Sequence, residues 1–291
     1  MQIINEDKRV GEIKRVGMVL RPNSYNLRPY YDKIKRKFNE HNAEVLISNE
    51  SAKLLNADGV DFEYMCQTCD LLVCVGGDGT LISISRRSYK YDKPILAVNA
   101  GKLGFLTDIN FEEIENFIDK LFIGEYRIDK RMVLSVIFYD KNGIKQEVAF
   151  NDAVFSRDMI GGMIKLKAYI NKDHFNTYFG DGLIVSTPTG STAYNLSSGG
   201  PVVYPLTEAL ILTPLCSHSL TQRPLILSVD FEVELKSEDK VLISLDGQEN
   251  YDMRDFESVK LKIASKGVKL IHRVERNYFT VLREKLNWGS E

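Results

Sequence analysis

An apolar run, Leu71-Leu72-Val73-Cys74-Val75, passes directly into Gly76-Gly77-Asp78-Gly79-Thr80. A short apolar run closed by glycines reads as a buried strand, and the two glycines let the backbone turn sharply without a Cβ penalty. Thr80 is placed to cap the helix that Leu81-Ile82-Ser83-Ile84 begins, aiming its positive end at the turn. The glycine amides are then left to face a bulky anion such as a phosphate. One carboxylate, Asp78, sits in the middle of this bare backbone. Beside a polyphosphate it would suffer like-charge repulsion, so a metal ion or a proton-accepting role must justify it. The junction reads as a nucleotide-phosphate site with a general base, a kinase-like arrangement.

The first third of the chain alternates strand and helix. Arg15–Leu20, Glu44–Ser48, Leu71–Val75 and Pro94–Val98 read as strands, separated by a helix over Leu27–Phe38, a polar helical stretch ending near Thr68 and the helix after Thr80. Asp108–Leu121 reads as an amphipathic helix. This is an open α/β pattern with a parallel sheet, in which ligands bind beyond the carboxyl ends of the strands, where Gly76–Thr80 and Asn99–Phe105 fall. From about Asp129 the periodicity changes to alternating and β-branched runs. Turn signals punctuate them at Asn142-Gly143, Gly161-Gly162, Glu238-Asp239, Asp246-Gly247 and Lys266-Gly267, and one helical interruption falls near Ser191–Ser198. Asn277–Leu286 has helical spacing. The expected architecture is a Rossmann-like α/β domain over 1–129, with 273–291 packing back on it, and a β-rich, all-β-like sandwich domain over 130–272.

Composition narrows the function classes. The 291 residues carry a net charge of −2 with both signs interspersed, so no overall basic field argues for nucleic acid. No apolar run approaches the roughly 20 residues of a membrane span. Met1–Lys14 lacks the apolar core of a signal peptide, and a cytoplasmic protein is expected. Cys66-Gln67-Thr68-Cys69 has redox or zinc spacing, but Cys74 and Cys216 do not supply a second ligand pair and the pair precedes its strand. Packing cysteines and no protein-held metal are expected.

Neither a G-x-x-x-x-G-K-[ST] loop nor a G-x-G-x-x-G loop occurs. The glycine junction is joined instead by Asn99-Ala100-Gly101-Lys102-Leu103-Gly104-Phe105-Leu106, again at the end of a strand, where Phe105 offers a flat face to a base or packs in the core. Asn151-Asp152 sets an amide beside a carboxylate, suited to vicinal sugar hydroxyls or to an Asx turn. Over Ser186–Ala193 the small hydroxyl residues leave room for a ligand near the backbone, and Gly199-Gly200-Pro201 follows at once. A serine hydrolase would need a G-x-S-x-G elbow, which is absent, and His218 reads as a hydrogen-bonded structural histidine.

Together these residues resemble the NAD kinase family, which phosphorylates NAD to NADP. The resemblance rests on Gly76–Thr80, Asn99–Leu106, Asn151-Asp152, Gly180–Pro201, His218-Ser219-Leu220 with Arg223-Pro224-Leu225, and Asp246-Gly247-Gln248. Gly-Gly-Asp-Gly alone is shared with diacylglycerol, sphingoid and phosphofructo-kinases; the long serine/threonine stretch is far more specific. The resemblance implies Asp78 as the base for the 2′-hydroxyl of the adenosine ribose, and Gly76, Gly77, Gly79 and Thr80 as the phosphate loop. It implies Phe105 near the adenine, Asn151 and Asp152 on ribose hydroxyls, and Asp181 near the nicotinamide end. Thr189, Thr192, Ala193, Tyr194 and Ser197 would line the dinucleotide site. ATP as donor, a divalent cation (Mg²⁺) and a homodimer or homotetramer are implied as well. One departure shows: Asn-Glu is common where this chain has Asn151-Asp152, and aspartate is one methylene shorter. The rivals are a diacylglycerol- or sphingoid-type lipid kinase and a non-enzymatic dinucleotide sensor.

Overall fold

The computed structural model describes residues 10–289 except 23, 25, 102, 103, 142 and 159–161. Lys102 and Leu103 of the second glycine loop, and the turn residues Asn142 and Gly161, therefore lie outside the described residues. The chain divides into two compact units, one running to Lys130 and resuming at Val268, the other Arg131–Gly267.

The first unit is built on one sheet of β1 (Arg15–Leu20), β2 (Glu44–Ile47), β3 (Leu71–Gly76), β4 (Ile95–Asn99), β5 (Arg127–Arg131) and β18 (Val268–His272), in the order β2-β1-β3-β4-β18-β5. The pairings of β1 with β2 and β3, and of β4 with β3 and β18, are parallel. Every residue of β3 is buried, as expected of a parallel strand covered on both faces. On one face Val16, Met18 and Leu20 of β1 and Leu71, Val73 and Val75 of β3 share a core with two helices. These are α1 (Arg28–Glu40), which contributes Tyr31, Ile34 and Phe38 at helical spacing, and α5 (Ile114–Phe122), which contributes Ile114, Phe117, Ile118 and Leu121. On the other face β1 comes so close to its cover that a Cβ on Gly17 would meet Met65 Cγ at 2.7 Å.

Three boundaries differ from the sequence expectation. The polar stretch before Thr68 is two helices, α2 (Asn49–Leu55) and α3 (Phe62–Thr68), because it holds two N-caps. The Ser48 side chain accepts from Ser51 N, and that of Asp61 from Glu63 N and Tyr64 N. The amphipathic helix begins at Ile114, not Asp108, because Asp108 is drawn into the interior to meet His272 and Arg276. Val268–His272, assigned above to the β-rich part, is strand β18 beside β4, where Val268, Leu270 and Ile271 are buried. The C-terminal helix α7 (Tyr278–Leu286), capped by Asn277, belongs to this first unit as expected.

The second unit pairs its strands antiparallel in two sheets. One holds β6 (Leu134–Asp140), β7 (Gly143–Ala149), β9 (Ile164–Ile170), β10 (Asp173–Gly180), β14 (Val233–Lys236) and β17 (Ser258–Ile263). The other holds β8 (Asp152–Arg157), β11 (Gly182–Ser186), β12 (Ala209–Leu215), β13 (Leu225–Ser228), β15 (Val241–Leu245) and β16 (Glu249–Asp252). Alternate residues of the first sheet (Leu134, Val136, Phe138) share one core with those of the second (Phe155, Leu183, Val185, Ile243), which is the expected sandwich. The helical interruption is a 3₁₀ turn over Thr189–Thr192 followed by α6 (Tyr194–Ser197).

Candidate active site

In the first unit the glycine junction joins β3 to α4 (Asp78–Ser88). The helix starts at Asp78 with Gly77 as its N-cap, so Thr80 lies inside the first turn and caps nothing. Thr80 packs over Gly76 instead, where an added Cβ would stand 2.5 Å from Thr80 Oγ1. Gly77 has an ordinary extended backbone (φ −106°), so its lack of a side chain opens space, and a Cβ on Gly77 or Gly79 would meet nothing within 4 Å. Asp78 is thus the first residue of the helix, at the positive end of its dipole and at the carboxyl edge of the sheet.

Its carboxylate is already engaged by the second glycine loop. Oδ2 accepts from Phe105 N (2.7 Å); Oδ1 accepts from Leu106 N (3.2 Å), Thr107 N (3.2 Å) and Thr107 Oγ1 (3.3 Å). A carboxylate has about four acceptor sites, two on each oxygen. Among the described residues Oδ1 is saturated, whereas Oδ2 carries a single bond and can take another donor. A Cβ on Gly104 would overlap Asp78 Oδ1, so any side chain there must displace either the carboxylate or the loop. Phe105 is half-buried, and its carbonyl accepts from Arg276 Nη2 (2.6 Å).

The second unit repeats the device. Asp246, in the left-handed region (φ 53°) ahead of Gly247, accepts from Phe150 N (2.7 Å), Asn151 N (2.7 Å) and Asp152 N (3.1 Å). Asn151 is half-buried, and its carbonyl takes Thr187 N (2.8 Å) and Ser186 Oγ (3.1 Å). Gly190 packs against that same carbonyl, leaving no room for a Cβ. The loop after β11 therefore turns most of its hydroxyls inward. Thr187 Oγ1 donates to Phe150 O (2.8 Å), and Ser191 Oγ donates to Pro188 O (2.7 Å). Buried Asn195 ties Ser191 O and Pro201 O together at 3.0 Å each while accepting from Thr213 Oγ1 (2.6 Å). These bonds make the serine/threonine stretch first a loop-holding device. Thr189 Oγ1 is an exception, buried with no hydrogen-bond partner among the described residues. Thr192 and Ala193 are half-buried; Tyr194 and Ser197 are exposed.

Asp152 is 4% exposed, and burial together with the nearby Asp246 charge pushes its carboxyl up to about 7. Because the folded value lies above the unfolded one, Asp152 weighs on the fold least below pH 4 and most above pH 7. Asp152→Asn is therefore expected to flatten the fall in stability between those limits, by up to about 4 kcal/mol. Chemical denaturation of both proteins at pH 5 and pH 8 measures this; parallel pH dependences would refute it.

Two residues fall away from these groups. Asp181 stands at the start of β11, the opposite end from Ser186 and Asn151, and its carboxylate lies 3.2 Å from Arg157 Nε. His218, read as a hydrogen-bonded structural histidine, is exposed, with its ring 5.5 Å from that of Phe179 and its backbone N–H donating to Phe179 O at 2.9 Å. Cys66 and Cys69 are buried free thiols that desolvation pushes up to about 12 and about 11, too high for thiolate chemistry near neutral pH. Sequence reasoning missed Gly104, Arg276 and the clamping role of Asp246. Asp246-Gly247 was visible as a turn, but nothing local tells which amides the carboxylate reaches.

The chain matches the profiles of the ATP-NAD kinase N-terminal domain over residues 16–126 and the ATP-NAD kinase C-terminal domain over 150–273. It is 49% identical to the NAD kinase of Sulfurimonas denitrificans over 280 residues, covering 96% of this chain and 98% of that protein. It is also 49% identical to the NAD kinase of Wolinella succinogenes over 283 residues (97% and 98%). Two solved structures share the fold. One is yeast NADH kinase complexed with NADH (TM-score 0.87, 23% identity, 100% of this chain and 94% of that one). The other is an NAD kinase from Archaeoglobus fulgidus in complex with ATP (TM-score 0.75, 24% identity, 94% and 98%). The resemblance drawn from the motifs holds across both halves of the sequence: the chain belongs to the NAD kinase family.

Proposed function

We propose that this chain transfers the γ-phosphoryl group of ATP to the 2′-hydroxyl of the adenosine ribose of NAD, with Asp78 as general base. Family membership makes it an ATP-dependent kinase of NAD. The residue assignment rests on Asp78 Oδ2, a carboxylate oxygen at the sheet's carboxyl edge with one bond made and one acceptor site left. An alcohol is a far weaker acid than a carboxyl group, so the proton passes to Oδ2 as the new P–O bond forms, not before. The electron pair of the bridging β,γ-oxygen leaves with ADP. Phosphoryl transfer runs through a loose transition state, so the remaining work is positioning and charge neutralisation.

Gly76, Gly77, Gly79 and Thr80 would take the phosphates at the start of α4, where the helix dipole favours anions. Phe105 would face the adenine. Asn151, Thr189, Thr192, Ala193, Tyr194 and Ser197 would line the dinucleotide, with Thr189 Oγ1 offering an unspent hydroxyl. Asp152 is withdrawn below the surface, which favours contact with the ribose through a bridging water. Asp181 would serve the nicotinamide end. Among the described residues no three His, Cys, Asp or Glu side chains form a metal cage. A Mg²⁺ ion would come with the triphosphate and supply charge neutralisation. No described helix is long and apolar enough to cross a membrane. A cytoplasmic homodimer or homotetramer completes the reading, and light scattering on the purified chain measures the assembly.

ATP consumption measured with NAD, NADH or diacylglycerol as acceptor tests the reading, repeated with polyphosphate as donor. Turnover with NAD and none with lipid is expected. Turnover with lipid alone would replace the reading, and tight NAD binding without ATP consumption would make the chain a sensor. Gly104→Ala is expected to lower kcat by about 10–100-fold, because the new methyl group must displace the loop from Asp78. Wild-type kcat in that variant would show that loop and carboxylate can separate without cost.

A further inference from the structure

We infer that Arg276, on the segment leading into α7, is a positioning residue for the Asp78 site, holding the carbonyl of the very residue whose amide the Asp78 carboxylate takes. Phe105 donates its N–H to Asp78 Oδ2 at 2.7 Å, and its carbonyl accepts from Arg276 Nη2 at 2.6 Å. One residue of the loop is therefore gripped at both polar groups by side chains far apart in sequence. Gly104, just before it, leaves no slack toward Asp78.

The guanidinium is itself fixed. Its side chain is 3% exposed and stands in a buried cluster formed by Asp108, Asp129 and His272. Arg276 Nε lies 3.3 Å from Asp108 Oδ2, and Nη1 lies 2.9 Å from His272 Nε2 and 3.7 Å from Asp129 Oδ2. His272 Nδ1 in turn meets Asp108 Oδ1 at 3.1 Å. Arg127 pairs with Asp129 at 3.0 Å and donates to the Arg276 carbonyl at 3.3 Å. Apolar packing would fill such a space at lower cost than buried charges, so stability alone gives weak reason for the cluster. It does give a planar fork one fixed direction, and that direction ends on the Phe105 carbonyl. A lysine at 276 keeps the charge but, as a point donor, cannot hold the cluster and the carbonyl together. The C-terminal segment thus sets where the loop stands against the carboxylate, and through the loop where Oδ2 is aimed.

The inference rests on the kinase reading for its activity readout only; a second readout is independent of it. Arg276→Met and Arg276→Lys are compared with wild type by thermal unfolding, by amide hydrogen exchange over 104–107, and by kcat and KM for NAD and ATP. Activity of the wild type decides the kinase reading; the variants decide this one. In folded variants, exchange at Phe105, Leu106 and Thr107 is expected to speed up about tenfold or more. The kcat of Arg276→Met is expected to fall about 10–100-fold with the KM for NAD changed less than about threefold, and Arg276→Lys to fall in between. Wild-type exchange at those amides, or wild-type kcat beside a lowered melting temperature, would reduce Arg276 to a structural residue and overturn the inference. Should the methionine variant fail to fold, the lysine variant decides by the same two readouts.

Discussion

Asp78→Asn is expected to lower kcat by about 10²–10⁴-fold while leaving the KM for NAD nearly unchanged. The lower bound comes from loss of the proton acceptor. The upper bound adds loop disorder, because the carboxamide replaces one oxygen by a donor. Whichever way it turns, that NH₂ faces an amide that now bonds the carboxylate: Phe105 N on one side, Leu106 N and Thr107 N on the other. Asp78→Asn therefore removes the base and unseats the loop together. Amide exchange at 105–107 separates the two contributions, since loss of the base alone leaves exchange unchanged. A kcat within about tenfold of wild type would remove Asp78 from the chemistry.

Asp246→Ala is expected to destabilise the second unit by about 3–5 kcal/mol, measured by urea unfolding. Three amide donors, those of Phe150, Asn151 and Asp152, lose a charged acceptor at once. Alanine must also hold a left-handed backbone at φ 53°, which asparagine tolerates better. Asp246→Asn should cost less than alanine, because it keeps the turn and one accepting oxygen, although its NH₂ must face either Phe150 N or the amides of Asn151 and Asp152. It should also let the Asp152 carboxyl fall from about 7, because one of the two causes of that rise is the Asp246 charge. A loss below about 1 kcal/mol in Asp246→Ala would mean that the clamp contributes little, and equal losses in the two variants would mean that the turn preference contributes nothing.

The parts of this molecule that were legible in the sequence are those whose causes lie next to one another along the chain. The Leu71–Val75 run, its glycines and the helix after them are one continuous strand–turn–helix, and alternation alone exposed the sandwich. The β-rich part was also legible through Asp246-Gly247, as a turn and as a family motif, though not as a clamp on the 150–152 amides. Where the outcome depends on a distant partner, local pattern failed. Asp108 looked like the start of a helix because its neighbours alternate suitably, yet His272 and Arg276 pull it inside. Thr80 looked like a cap because threonine often is one, yet the helix had already begun at Asp78. Val268–His272 reads as one more β-branched run, and only pairing with β4 places it in the first sheet. Asp78 was singled out in the sequence as one carboxylate on a bare backbone. That it also carries the 105–107 loop is a fact of tertiary structure, set by residues nearly thirty positions away.

The most direct measurement is phosphorus NMR of the dinucleotide formed when the purified wild-type chain is given NAD, ATP and Mg²⁺. A monoester on the 2′-oxygen of the adenosine ribose, matched one to one by ADP, is the predicted product. Phosphate on any other oxygen, or ATP hydrolysed with the dinucleotide unchanged, would contradict a carboxylate oxygen poised at that hydroxyl.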